Sequence, residues 1–353
     1  MQFTIDQGVR CNATKAFLSN NKFKKFLTIS TKSKATKIIF KNDKAIGVEF
    51  YKNKIKNTVF ANNEIILTAG SFNSPKLLML SGIGNEEELK KHSIEKVFIS
   101  EGVGQNLQDH HEVSVISKTK PGYGYFGQDK GLKMLKNIFQ YLLFKEGPAA
   151  TIGCDGCTFL NPDKTIKDYT EEPSIKLYCV PKVQLDKNVK DIGQFEGITL
   201  NSVLMRPKSR GEIKLKSSDP YDMPLLNPNY LNHEDDKRLQ ISAFKYSREI
   251  LNTKPLNDIV INEVFPGEKV KTDEDILNHC KKSIKTNWHP VGTCKMGTYE
   301  DINAVCDTNL RVKGVRGLRI FDASSFPNLV AGNTNAPVIA FALKAVTELI
   351  NEY

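Results

Sequence analysis

Long apolar runs are missing from this 353-residue chain. No stretch approaches the roughly 20 residues a helix needs to cross a bilayer, so no membrane span is expected. Residues 1–7 show no charged region followed by an apolar core, and no signal peptide is legible there. Cysteine is scarce and scattered: seven in all, with one close pair at Cys154 and Cys157. A lone CxxC lacks the second pair or neighbouring histidines of a zinc site, so incidental thiols or one local disulfide are expected and no metal. Acidic residues are outnumbered, and the net charge of +10 comes mostly from lysine. Between Lys22 and Lys56 the lysines alternate with apolar residues, as on the solvated face of a hairpin. A nucleic-acid surface would gather arginines and stacking aromatics in one stripe, and no such partner is predicted. A dinucleotide fingerprint is absent too. Gly102-Val103-Gly104 lacks the third glycine and the strand-to-helix setting.

The composition is otherwise that of a globular protein long enough for two domains. Short alternating strands are read at residues 26–30, 37–40 and 45–51, with Lys41-Asn42-Asp43-Lys44 as a turn. Residues 64–69 form a continuous apolar run ending at Gly70, which suits a strand buried on both faces. A compact helix follows, with Ser74 read as its N-cap, Pro75 at its first position and Gly82 just beyond its end. Glu86 to Lys91 is a second short helix. From His111 the pattern changes to glycine-rich and lysine-rich segments, a helix from Leu132 to Lys145, strands at residues 174–179 and 211–215, and a long helix from Asp235 to Leu251. That middle region reads as a separate α+β domain. The last section returns to the earlier style, with a buried strand at 317–322 and a helix from Ala336 to Tyr353.

Three segments carry chemistry. Ala69-Gly70-Ser71-Phe72-Asn73-Ser74-Pro75 through Ser81-Gly82-Ile83-Gly84 is a strand, a tight turn and a helix opening, where unpaired N–H groups suit a dinucleotide. In Asn287-Trp288-His289-Pro290-Val291-Gly292-Thr293, an isolated histidine would read as a satisfied core residue. Its ordinary pKa near neutrality also suits a general base. Asp322-Ala323-Ser324-Ser325-Phe326-Pro327 precedes Gly332-Asn333-Thr334-Asn335, whose asparagines read on their own as helix caps. Tandem His110-His111 has no partner at ligand spacing and is not read as a metal site.

Together these segments resemble the glucose–methanol–choline (GMC) oxidoreductases, and their style is similar to the insect FAD-dependent glucose dehydrogenase group. The resemblance is dense over 64–110 and 286–353 and loose between. It implies an α/β FAD-binding domain, here incomplete, from residues 1–110 and 286–353. Residues 111–285 would form an α+β substrate-binding domain with an antiparallel sheet. It also implies that His289 takes the hydroxyl proton of an alcohol or sugar while hydride leaves for FAD, with Asn333 as the second catalytic residue. Asparagine is no base but donates a hydrogen bond to the substrate oxygen. Ala35, Trp288, Asp322, Ala323, Asn333, Thr334 and Asn335 are implied to contact FAD. Gly102 to His110 is implied to support the flavin side of the cavity. Oxygen or a quinone would take the electrons.

The family's opening strand–GxGxxG–helix unit for the FAD pyrophosphate is not in this sequence. A fragment or truncated gene is therefore expected, with a non-catalytic paralogue that no longer binds FAD as the alternative. Secretion would follow if a signal peptide preceded Met1; the location is otherwise unassigned.

Overall fold

A computed structural model describes residues 4–6, 9–19, 24–151, 153–154, 156–163, 172–184 and 192–353. Parts of the 1–7 stretch, Lys22 at the start of the lysine cluster and Asp155 between the paired cysteines lie outside the described residues.

After a two-residue hairpin of Ile5–Asp6 with Val9–Arg10 and a short helix at Ala13–Phe17, the chain forms an antiparallel meander of β1 (Ser33–Lys41), β2 (Lys44–Lys52) and β3 (Ile55–Phe60). Asn42, at φ 56°, makes the first turn, as the sequence predicts. The strand expected at 26–30 does not form. Lys24–Phe26 is a 3-10 turn followed by irregular chain, with Phe26 and Ile29 exposed and, among the described residues, no strand beside them to take the backbone bonds. Next come β4 (Ile65–Leu67), α1 (Gly70–Leu80) and α2 (Glu86–Lys91).

Helix α1 starts one turn before the expected N-cap. No side chain of its own segment caps it. Asp322, some 250 residues away in sequence, does so from outside, its Oδ2 accepting from Gly70 N at 2.9 Å and from Ser74 Oγ at 2.5 Å. That leaves Pro75 inside the helix, where it cannot donate to the carbonyl of Ser71. Thr293 Oγ1 supplies the missing donor at 2.6 Å. Two long-range contacts thus override the local start signal.

The middle of the chain runs through β5 (His111–Thr119), α3 (Gly131–Phe144), β6 (Gly156–Leu160), β7 (Ile175–Val180) and β8 (Gly197–Leu204). It continues with β9 (Glu212–Lys214), β10 (Leu225–Asn227), α4 (Glu234–Leu251), β11 (Val260–Phe265), α5 (Asp273–Ser283) and β12 (Lys285–Thr286). An antiparallel sheet of order β6-β7-β8-β5-β11 results, with β12 also paired to β5. Its interior strand β5 goes unread in the sequence because polar and apolar residues alike are buried there, all but Lys118. Finally β13 (Leu318–Ile320) lies parallel to β4, and α6 (Asn335–Glu352) closes the chain.

Two main cores follow. The first joins Leu78, Met79 and Ile83 to Leu107, Cys294, Leu318 and Ile320. It also takes Ile213 and Leu215 from within 111–285, so the middle segment reaches back into it. The second packs Leu239, Ala243 and Phe244 of α4 on Val113, Val115, Ile175, Leu177 and Leu200 of the sheet. Because strand side chains alternate, Glu112, Ser114, Lys176, Tyr178 and Asn201 are left on the opposite face. That polar face meets the first core at the site.

Candidate active site

His289 sits on a loop that segment 106–110 holds in place. Gln108 and Val291 exchange backbone hydrogen bonds of 3.0 and 2.8 Å, and Asn287 N donates to His110 O at 2.7 Å. Asn106 Nδ2 donates to Gly292 O at 3.1 Å. Gly292 is at φ +89°, and a Cβ there would lie 2.7 Å from Asn106 O, so only glycine lets the two segments close. Asp109 completes the clamp, accepting from His289 N at 2.9 Å and from the Tyr230 hydroxyl. Burial pushes the Asp109 carboxyl above its ordinary range, and these donors oppose that. The supporting role implied for Gly102 to His110 thus has a concrete form in backbone pairing.

The two imidazoles face each other. His110 Nδ1 and His289 Nδ1 are 2.9 Å apart, with the rings edge to face. His110 Nε2 lies 3.0 Å from Met205 O. A carbonyl only accepts, so Nε2 of His110 carries its proton. Burial, reinforced by the neighbouring His289, holds the His110 pKa down to about 3. A neutral ring protonated at Nε2 has a bare Nδ1, so the hydrogen between the rings belongs to His289. Burial first, and then the positive charge of Lys176, lower His289 to about 4. Neutral and protonated at Nδ1, it presents an unprotonated Nε2, and among the described residues no group hydrogen-bonds to that atom.

Lys176, on the polar face of β7, links this pair to the other predicted catalytic residue. Its Nζ donates to Asn333 Oδ1 at 3.0 Å, and its charge acts on His289. His289 and Asn333 are thus linked through Lys176, one by its charge and the other by a hydrogen bond. With Oδ1 occupied, the amide of Asn333 turns its two N–H donors elsewhere. Behind Lys176, Glu112 accepts from the Tyr178 hydroxyl and Asn287 Nδ2, with Lys285 Nζ at 3.3 Å. Burial and that carboxylate push the Tyr178 phenol well above its ordinary pKa.

The remaining predicted contacts fall in three places. Trp288 is 83% exposed and held at φ 66°, an outlying conformation for a bulky residue, directly before His289. Thr334 is the N-cap of α6 but gives no side-chain cap, and exposed Asn335 opens the helix. Among the described residues no acceptor meets the N–H groups of Asn335 and Ala336. Asp322 is turned inward, its carboxylate committed to Gly70, Ser74 and Ser324 N, and Ala323 begins the 3-10 turn beside it. Ala35 is exposed on β1 beside a hollow of about 290 Å³ that reaches the start of α1.

Sequence reasoning missed Asp109, His110, Lys176 and Tyr230. The signal for the first two was their place in Gly102 to His110, the segment already linked to the cavity. Nothing local singles out Lys176 or Tyr230. Of the tandem histidines only His110 turns to the site; His111 packs against Tyr230 with both ring nitrogens unpartnered.

Comparison with known proteins places these features. Family models described as GMC oxidoreductase match residues 1–112 and 207–342. An oxygen-dependent choline dehydrogenase of Brucella anthropi is 37% identical over 350 residues, covering 99% of this chain. An alcohol dehydrogenase [acceptor] of Pseudomonas putida is 35% identical over 359 residues. This chain spans 63% of the length of each of these relatives. Among solved structures, pyridoxine 4-oxidase from Mesorbium loti superposes with a TM-score of 0.85 at 25% identity, across 99% of this chain and 63% of that one. The formate oxidase of Aspergillus oryzae gives 0.87 at 26% identity, across 99% of this chain and 64% of that one.

Proposed function

Since the chain belongs to the GMC oxidoreductase family, we propose that it acts in the FAD-dependent oxidation of a CH–OH group, with His289 as base and Asn333 as its polar partner. The substrate is an alcohol or a sugar. Sugars are included because the motifs resemble those of insect glucose dehydrogenases. Oxygen or a quinone is the final electron acceptor.

The observation that carries this reading is the bare Nε2 of His289, fixed by the bond to His110. A hydroxyl proton moves to that atom, giving an imidazolium whose Nδ1–H still donates to His110. Asn333 holds the substrate oxygen through an amide N–H, and the positive field of Lys176 steadies the negative charge developing there. When bound, FAD supplies the acceptor for the hydride that leaves the carbon.

The residues present fit the ring end of a flavin. Trp288 offers an exposed aromatic face beside the base. The uncapped start of α6, with Asn333, Thr334 and Asn335, offers donors to an electron-rich ring edge. Ala35 stands at the hollow beside α1. Asp322 and Ala323 act by fixing the turn between β4 and α1.

A non-catalytic binding role without FAD is the rival. The test is the absorption spectrum of protein expressed from its complete transcript, then anaerobic bleaching of the flavin by primary alcohols and sugars. Bound flavin that bleaches supports oxidation. No bound flavin, or flavin that no alcohol bleaches, supports the rival.

A further inference from the structure

We propose that Lys176 sets the substrate class of this site, selecting a hydroxyl compound that carries an anionic group and rejecting quaternary-ammonium alcohols. The inference rests on the reading of the His110–His289 neighbourhood as the place where a hydroxyl is oxidised.

Lys176 is only 7% exposed. An ammonium has three donors. One goes to Asn333 Oδ1, and the group lies 5.1 Å from the centre of the Tyr178 ring. Among the described residues no carboxylate comes within ion-pair distance of Nζ. Burial lowers the Lys176 pKa, opposed first by the Cys154 sulfur and then by Glu112, which is itself bound by Tyr178, Asn287 and Lys285. A buried ammonium with no ion-pair partner among the described residues is costly, and an arriving anion both relieves that cost and accepts the remaining donors.

The adjoining cavity has the same sign. It holds about 710 Å³ and shares Tyr178 with the surroundings of Lys176. Lys130 and Lys182 line it against one acid, Asp129, among its described lining residues. A second cation brought to Asn333 would meet Lys176 at close range in a poorly screened setting. The relatives named for choline therefore do not supply this chain's substrate.

Matched probes of similar length test the idea by calorimetric titration of the holoenzyme: 3-hydroxypropionate, neutral 1,3-propanediol and choline. The carboxylate should bind at least about 10-fold tighter than choline. Lys176→Met should abolish that preference, Lys176→Glu should reverse it, and Lys176→Arg should keep it, with thermal melting to confirm folding. Equal or tighter binding of choline by the native protein, no binding of any probe, or an unchanged preference in Lys176→Met overturns the proposal. Binding is read without turnover, so a protein that prefers the carboxylate yet never reduces flavin would sink the functional reading alone.

Discussion

The Nδ1 atoms of His110 and His289 lie 2.9 Å apart, and the bond from His110 Nε2 to Met205 O decides which of them carries the shared hydrogen. A backbone carbonyl thereby sets the protonation of a side chain it never touches. The effect passes through one ring and emerges at Nε2 of His289.

His289→Ala removes the proposed proton acceptor. In the flavin-loaded protein, the rate of flavin reduction by an alcohol should fall about 10²- to 10⁴-fold. Anaerobic stopped-flow mixing measures it, and near-normal reduction would remove His289 from the mechanism.

His110 acts through His289, so its variants should separate position from presence. His110→Leu leaves the Nδ1–H of His289 without an acceptor and frees the ring to take either tautomer. A loss of about 10-fold or more in kcat is expected, on the scale of one buried hydrogen bond. His110→Asn can accept at its amide oxygen and should recover part of the rate. Equal loss in both variants, with an unmoved pH profile, would mean that His110 only fills space.

The lowered histidine pKa values predict a pH dependence. His289 is a base only when neutral, and its pKa lies at about 4. For a neutral alcohol, kcat/KM should stay flat well below pH 6.5 and fall toward pH 4. Stability shares the direction. Both His110, at about 3, and His289 bind protons less readily folded than unfolded, where about 6.5 is usual. As pH drops from about 6.5 the unfolded chain takes up more protons, so stability is lost across that window until the folded values are passed. Acid titration followed by circular dichroism reads the loss. An acid limb near pH 6.5 would contradict the buried neutral pair.

Thr293→Val strips Ser71 O of the donor that stands in for the missing N–H of Pro75. The cost should be about 1–3 kcal/mol in urea denaturation. Thr293→Ser should restore most of it, and a Val variant as stable as the native protein would show that water satisfies the carbonyl.

Much of the architecture was legible because it is written in local pattern. Alternation located β1 and β2, and the apolar run located β4, although that strand is not buried on both faces as expected: Leu67 is buried and Ile66 is exposed. The charged ends of α2 placed that helix within its observed limits. Reading failed where distant groups decide. Ser74 is a good N-cap by local rules, yet α1 opens at Gly70 because Asp322 caps it from another part of the fold. Strand β5 was missed because its buried polar residues face the site, which breaks the alternation that marks a half-solvated strand.

From the sequence alone come the family resemblance and the two residues, His289 and Asn333, on which the proposed chemistry turns. Both sit in short contiguous motifs whose neighbours fix their meaning. Only the tertiary structure decided that His110 sets the tautomer of His289 and that Lys176 bonds Asn333 while its charge acts on His289. Those partners come from separate strands and loops, and side-chain hydrogen bonds between distant segments leave no periodic trace along the chain.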